Sequence, residues 1–165
     1  MLETDQRLRM PTLTDWLSPT PHMENTITEL EISKCGFLVI DDDDFQSALV
    51  THVLERIGGS RIFSANNADD GYALAQQHKP DFVLLDIYMP QIDGWAILEK
   101  LRRIHPGLLA IMVTGSHSPA DFNKSMDRYV DGFCIKPVLP DVMLKALRTA
   151  RRRSGASQDP AYALA

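Results

Sequence analysis

Four aspartates in succession, Asp41, Asp42, Asp43 and Asp44, close one apolar run of the sequence, and Asp86 closes another. A third such run leads into Thr114, Gly115 and Ser116, and a fourth into Lys136 and Pro137. Each group taken singly has an ordinary explanation. An acid run makes a solvated loop with a helix cap, a lone aspartate caps a turn, a threonine bonds its own backbone, and a lysine pairs with a surface acid. Taken together, acids at two strand ends, a hydroxyl at a third and a lysine at a fourth suit phosphoryl chemistry if one edge of a sheet gathers them. Crowded carboxylates repel one another, and hard Mg²⁺ relieves this by taking oxygen ligands while keeping waters for an incoming phosphoryl group. Lysine and a threonine hydroxyl then match the charged phosphoryl oxygens.

The elements that must position these residues are short apolar runs alternating with amphipathic stretches, the pattern of βα units on a parallel sheet. The runs are Phe37 to Ile40, Arg61 to Ala65, Phe82 to Leu85, Leu108 to Val113 and Gly132 to Ile135. None alternates apolar with polar, so helices are expected to cover all or most of them on both faces. Phe45, Ala48, Leu49, Val53, Leu54 and Ile57 recur at helical spacing, as do Ile97, Leu98, Leu101 and Ile104, and are read as core-facing stripes. Asn67 with Asp69 and Asp70, and Ser118 with Pro119 and Asp121, read as helix starts. Lys100, Arg102, Arg103 and His105 crowd a helix end before Pro106. In such a sheet ligands bind at the carboxyl ends of the strands, which is where the chemistry-bearing residues fall.

Composition narrows the classes. The chain has 165 residues, 44% of them hydrophobic, with 17 Lys and Arg against 22 Asp and Glu, for a net charge of −5. That suits one domain with a real core. An acidic chain has no overall field for nucleic acid, so nucleic-acid binding is not expected, despite Arg151, Arg152 and Arg153 near the end. No apolar run is long enough for a membrane span, and the amino-terminal residues lack the apolar core of a secretory signal, so no membrane partner and a cytoplasmic location are expected. Cys35 and Cys134 read as small buried hydrophobes rather than a disulfide or a zinc site. Residues 1–33 are expected to form a flexible extension, 34–153 the folded domain and 154–165 a tail that resembles an apolar degradation tag only in part.

The stretches FLVIDDDDF, DFVLLDIYMPQIDGW, AIMVTGS and DGFCIKP resemble the receiver domain of bacterial two-component response regulators, the CheY-like family. The resemblance spans about 34 to 153 and implies a doubly wound α/β fold with a five-stranded parallel sheet in the flavodoxin-like order 2-1-3-4-5. It implies that Asp86 is the phospho-acceptor and that Mg²⁺ is held by Asp41, Asp42, Asp86 and the backbone carbonyl of Tyr88, with Asp41 acting through water. Lys136 would contact the phosphoryl group, Thr114 would turn its hydroxyl to it, and Gly115 would leave room for it. Phe133 takes the switch-aromatic position, and the Lys136–Pro137 bond would be cis. The implied partners are a histidine kinase or histidine phosphotransfer protein and an unidentified target protein, with the face 119–151 as readout surface or homodimer contact. Apart from its own phosphorylation and dephosphorylation, the chain is not expected to be an enzyme. No output domain is seen after the last helix, so a single-domain regulator is expected.

Two other readings stand beside this one. A haloacid-dehalogenase-type phosphohydrolase would use Asp41 as nucleophile in an Asp-x-Asp motif with Asp43, but it finds Phe45 where threonine or valine is usual and leaves Asp86 without a role. A phosphate-independent interaction module would keep only the receiver shape.

Overall fold

The computed structural model describes residues 29–116, 118, 120, 121, 123 and 130–156. The expected amino-terminal extension up to residue 28, the tail from 157 and His117 lie outside them. The elements in chain order are α1 (Glu29–Lys34), β1 (Gly36–Ile40), α2 (Asp44–Arg56), β2 (Arg61–Ala65), α3 (Ala68–His78), β3 (Phe82–Asp86), α4 (Gly94–Ile104), β4 (Leu109–Thr114), β5 (Gly132–Ile135) and α5 (Pro140–Ala156). All strands pair in parallel, in the order β2-β1-β3-β4-β5. This is the expected doubly wound fold.

Successive strand residues point to opposite faces, and the core divides accordingly. Phe37, Val39, Phe82, Leu84, Ile111 and Val113 face a cluster with Ile32, Val50, Leu54, Met143 and Leu147. Leu38, Ile40, Val83, Leu85, Ala110 and Met112 face the other, with Tyr72, Ala75, Trp95, Ile97 and Leu101. Each such large side chain, taken fully out of water, contributes about 1.5–3 kcal/mol. Ile32 is thus packed into the core although it precedes the expected domain start at 34. Cys35 and Cys134 are buried free thiols, and burial pushes the Cys134 thiol up to about 12.

Three packing expectations need correction. Phe45, Ala48 and Leu49 are exposed, whereas Val53, Leu54 and Ile57 of the same expected stripe are buried, joined by Ser47 and Val50. Ile104 is also exposed, because it lies in the last turn of α4. β2 is an edge strand with only Ala65 buried, so it is not covered on both faces.

The helix starts follow the expected capping chemistry. Asn67 accepts the Asp70 N–H, and Ser118 Oγ accepts the Ala120 N–H. Asp43 caps α2 by accepting from the N–H groups of Phe45 and Gln46, at 2.9 and 3.1 Å.

Candidate functional site

Strand register brings the site together. Ile40 of β1 lies beside Leu85 of β3, so the next residues, Asp41 and Asp86, emerge side by side at the carboxyl edge. Asp86 pairs with Val113 of β4, and Thr114 follows it. Thr114 in turn pairs with Ile135, which places Lys136 one residue beyond, its N–H donating to the Thr114 carbonyl at 2.8 Å. Adjacent strands are roughly 4.8 Å apart, so residues separated by tens of positions in sequence become neighbours.

The Lys136 ammonium donates to Asp41 Oδ2 at 2.6 Å and to Asp86 Oδ2 at 3.2 Å. All three side chains are largely buried, with exposures of 12%, 4% and 12% for Lys136, Asp41 and Asp86. Asp42 is exposed and completes a trio in which one carboxylate oxygen each from Asp41, Asp42 and Asp86 lies within 4.8 Å of the others. Burial raises the Asp86 carboxyl above its ordinary value; Lys136 opposes this, and the neighbouring Asp41 charge adds to it. Burial alone would lower Lys136, but its hydrogen bond to Asp41 and the attraction of both carboxylates outweigh it and hold the ammonium charged. One lysine among three acids leaves an excess of negative charge on hard oxygen donors. That donor set fits Mg²⁺.

Around this centre, Thr114 is fully buried and its Oγ1 accepts the Ser116 N–H at 3.1 Å. A Cβ added to Gly115 would meet nothing within 4 Å. Phe133 is half-buried against the second core cluster. The Lys136–Pro137 bond is cis. Tyr88 donates its N–H to Asp86 Oδ1 at 3.4 Å. Every residue singled out from the sequence for the site is therefore at the carboxyl edge or on a strand leading to it. The face 119–151 lies partly outside the described residues.

Two features were not anticipated. Gly94 opens α4 where the loop after β3 folds back, its N–H donating to the Ile87 carbonyl at 3.0 Å, and a Cβ there would collide with the carbonyl oxygen of Asp86. A glycine after a run of loop residues was the available signal. The second is a contact between the Tyr88 hydroxyl and Asp121 beside a cleft of about 290 Å³ lined by the loop 87–93 and Trp95. No periodicity announces it.

The model of the response regulator receiver domain matches residues 37–148, more than half of the chain. The chain belongs to the response regulator receiver-domain family. Among curated relatives it is 30% identical over 118 residues to the probable transcriptional regulatory protein TcrX of Mycobacterium tuberculosis, covering 72% of this chain and 50% of that protein. It is 31% identical over 112 residues to protein PilH of Pseudomonas aeruginosa, covering 67% of this chain and 92% of PilH. The chain spans about half the length of several of the curated relatives it matches. Among solved structures it resembles a Burkholderia pseudomallei response regulator with a phosphorylated aspartic acid, calcium ion and citrate. Identity there is 26% and the TM-score 0.64, covering 76% of this chain and 73% of that one. Among the described residues no helix is long and apolar enough to cross a membrane.

Proposed function

We propose that this receiver domain accepts a phosphoryl group on Asp86 from the phosphohistidine of a histidine kinase or phosphotransfer protein, with Mg²⁺ bound by Asp41, Asp42, Asp86 and the Tyr88 carbonyl. The observation that carries the reading is the trio of carboxylates Asp41, Asp42 and Asp86, two of which, Asp41 and Asp86, are bridged by Lys136 at the switch point of the sheet. The Burkholderia structure, a relative with a phosphorylated aspartate and a bound divalent cation, supports it.

An Asp86 carboxylate oxygen attacks phosphorus, the P–N bond to imidazole breaks, and its electron pair leaves with the ring nitrogen. A divalent cation, when bound, offsets charge on the transferring phosphoryl oxygens. Lys136 orients Asp86 and adds a second positive group. The open space over Gly115 admits the phosphoryl group, and Thr114 exchanges its bond to the Ser116 N–H for one to a phosphoryl oxygen. That displacement vacates space into which the half-buried Phe133 turns, changing the face 119–151 that a target protein or a second copy reads. Phe133 carries no hydroxyl, so the change is transmitted by packing. Output by protein contact, and a cytoplasmic location, belong to this proposal.

The phosphohydrolase alternative loses ground, because Asp43, the second acid of its motif, is engaged as the cap of α2. Labelling with a small phosphodonor tests the proposal. Wild-type protein should take up one phosphoryl group in the presence of Mg²⁺, acid-stable and alkali-labile, and Asp86→Asn should take up none. Undiminished labelling of Asp86→Asn would sink the assignment.

A further inference from the structure

Tyr88 is 60% exposed on the loop after β3, a setting in which an aromatic side chain ordinarily samples several rotamers. Here it is held. Its hydroxyl donates to both carboxylate oxygens of Asp121, at 2.9 and 2.8 Å. Asp121 is only 8% exposed and sits just beyond β4, its own N–H donating to the Ser118 carbonyl at 3.2 Å. Hydrogen bonds to an ionised carboxylate are the stronger kind, and a nearly buried acceptor has little water to offer instead. At its other end Tyr88 donates its N–H to Asp86.

We infer that Asp121 is a positioning residue for phosphoryl transfer: by anchoring the Tyr88 side chain, it fixes the Tyr88 peptide against Asp86 and the bound cation. The inference rests on the proposed roles of Asp86 and of the Tyr88 carbonyl. Ile87 is buried on one side of that peptide and its carbonyl is tied to the Gly94 N–H. On the other side, Met89 to Asp93 are half-buried or exposed. The orientation of the 88 peptide therefore depends on what holds its side chain, and the nearly buried Asp121, with Ser116 also bonded to the hydroxyl, is its anchor. A group fixed before its ligand arrives loses less freedom on binding, which is the gain the anchor provides. The anchor also joins the acceptor loop to the segment containing Ser116, whose N–H holds the Thr114 hydroxyl.

The test uses the full chain with Tyr88→Phe, Asp121→Ala and the double variant, read by Mg²⁺ calorimetry and by amide hydrogen exchange in metal-free protein. Tyr88→Phe removes one oxygen and leaves every charge in place, so it separates anchoring from the loss of a nearby negative charge. It should weaken Mg²⁺ binding about three- to tenfold, the range for one typical net hydrogen bond. The loss in the double variant should fall short of the sum of the single losses, because both substitutions break the Tyr88–Asp121 contact. Exchange should quicken at residues 87–89 in each variant and stay unchanged in β1 and β3, whereas a merely destabilised fold would quicken everywhere. Unaltered Mg²⁺ affinity and exchange in Tyr88→Phe, or additive losses in the double variant, would overturn the inference alone, with wild-type binding and labelling intact. Wild-type protein that binds no Mg²⁺ and takes no phosphoryl group would overturn the inference and the proposed function together.

Discussion

At the amino end of the sheet, Asp81 and Asp131 each serve the backbone. Asp81 Oδ2 accepts the Gly36 N–H at 2.7 Å, and Asp131 Oδ2 accepts the Ala110 N–H at 2.8 Å and an Arg102 guanidinium N–H at 3.2 Å. At the carboxyl end, Asp41, Asp42 and Asp86 converge on each other with one lysine among them. Residues of one type, on loops joined to the same strands, thus do two jobs. The difference lies in compensation: the amino-end acids are matched by N–H donors that need them, and the carboxyl-end acids exceed the positive charge beside them. Stability is built at the first end. On the proposed function binding capacity is held at the second, at some cost to the ligand-free fold.

Substitutions should separate the two ends. The largest effect is expected from Gly94→Ala, whose added methyl collides with the Asp86 carbonyl oxygen and must displace the acceptor loop or the start of α4. A loss of about 3 kcal/mol in urea unfolding is expected, of the size overpacking against backbone produces. Wild-type stability in that variant would show the loop to be freely adjustable. Next comes Asp131→Ala, which orphans the Ala110 N–H and removes the ion pair to Arg102, for about 2 kcal/mol at the amino end. Its labelling at Asp86 should match wild type once both are folded; impaired labelling would mean that the two ends are not independent.

How far the sequence foretold this arrangement depends on what kind of signal each part leaves. Central strands such as β3 are apolar from Phe82 to Leu85 because both faces are covered, so they stand out. β2 carries Arg61 and Ser64 within its run and at the sheet edge is mostly uncovered, and the run alone does not say how many neighbours it will have. In α2 the expected stripe divides, with Val53, Leu54 and Ile57 buried and Phe45 and Leu49 exposed, a division that helical spacing alone does not make. Asp41, Asp86, Thr114 and Lys136 were legible because each follows a strand, and parallel strands bring their ends together. The Tyr88–Asp121 contact was not, because it joins two loops 33 residues apart by side-chain reach, which no local pattern encodes.

Removing Lys136 from the carboxyl end tests the same difference in charge balance. Lys136→Met should cost about 1–2 kcal/mol without metal, because Asp41 and Asp86 lose their charged donor while remaining mostly buried. On the proposed function Mg²⁺ would bind the folded form and stabilise it by mass action, and would also replace the missing charge. The rise in Tm on adding Mg²⁺ should therefore be larger for Lys136→Met than for wild type. Equal rises would show that the lysine does not share the carboxylates with the cation site.

The smallest effect concerns protons at Asp86. Burial raises its pKa from the ordinary 3.8, with Asp41 adding to the rise and Lys136 only partly opposing it. The folded protein therefore holds this proton more tightly than the unfolded chain does. Stability gained from the protonated form is fully present below the unfolded value and declines as pH rises through the folded one. At neutral pH the ionised carboxylate consequently works against the metal-free fold. Asp86→Asn removes that charge with little change of shape, so in chelator its Tm should exceed that of wild type at neutral pH, with the gap closing toward about pH 4. Added Mg²⁺ should reverse the order, since wild type then gains a carboxylate ligand that the variant lacks. A metal-free variant that is less stable than wild type at neutral pH would place Asp86 with Asp81 and Asp131, among the acids that hold the fold together, and would erase the distinction between the two ends of the sheet.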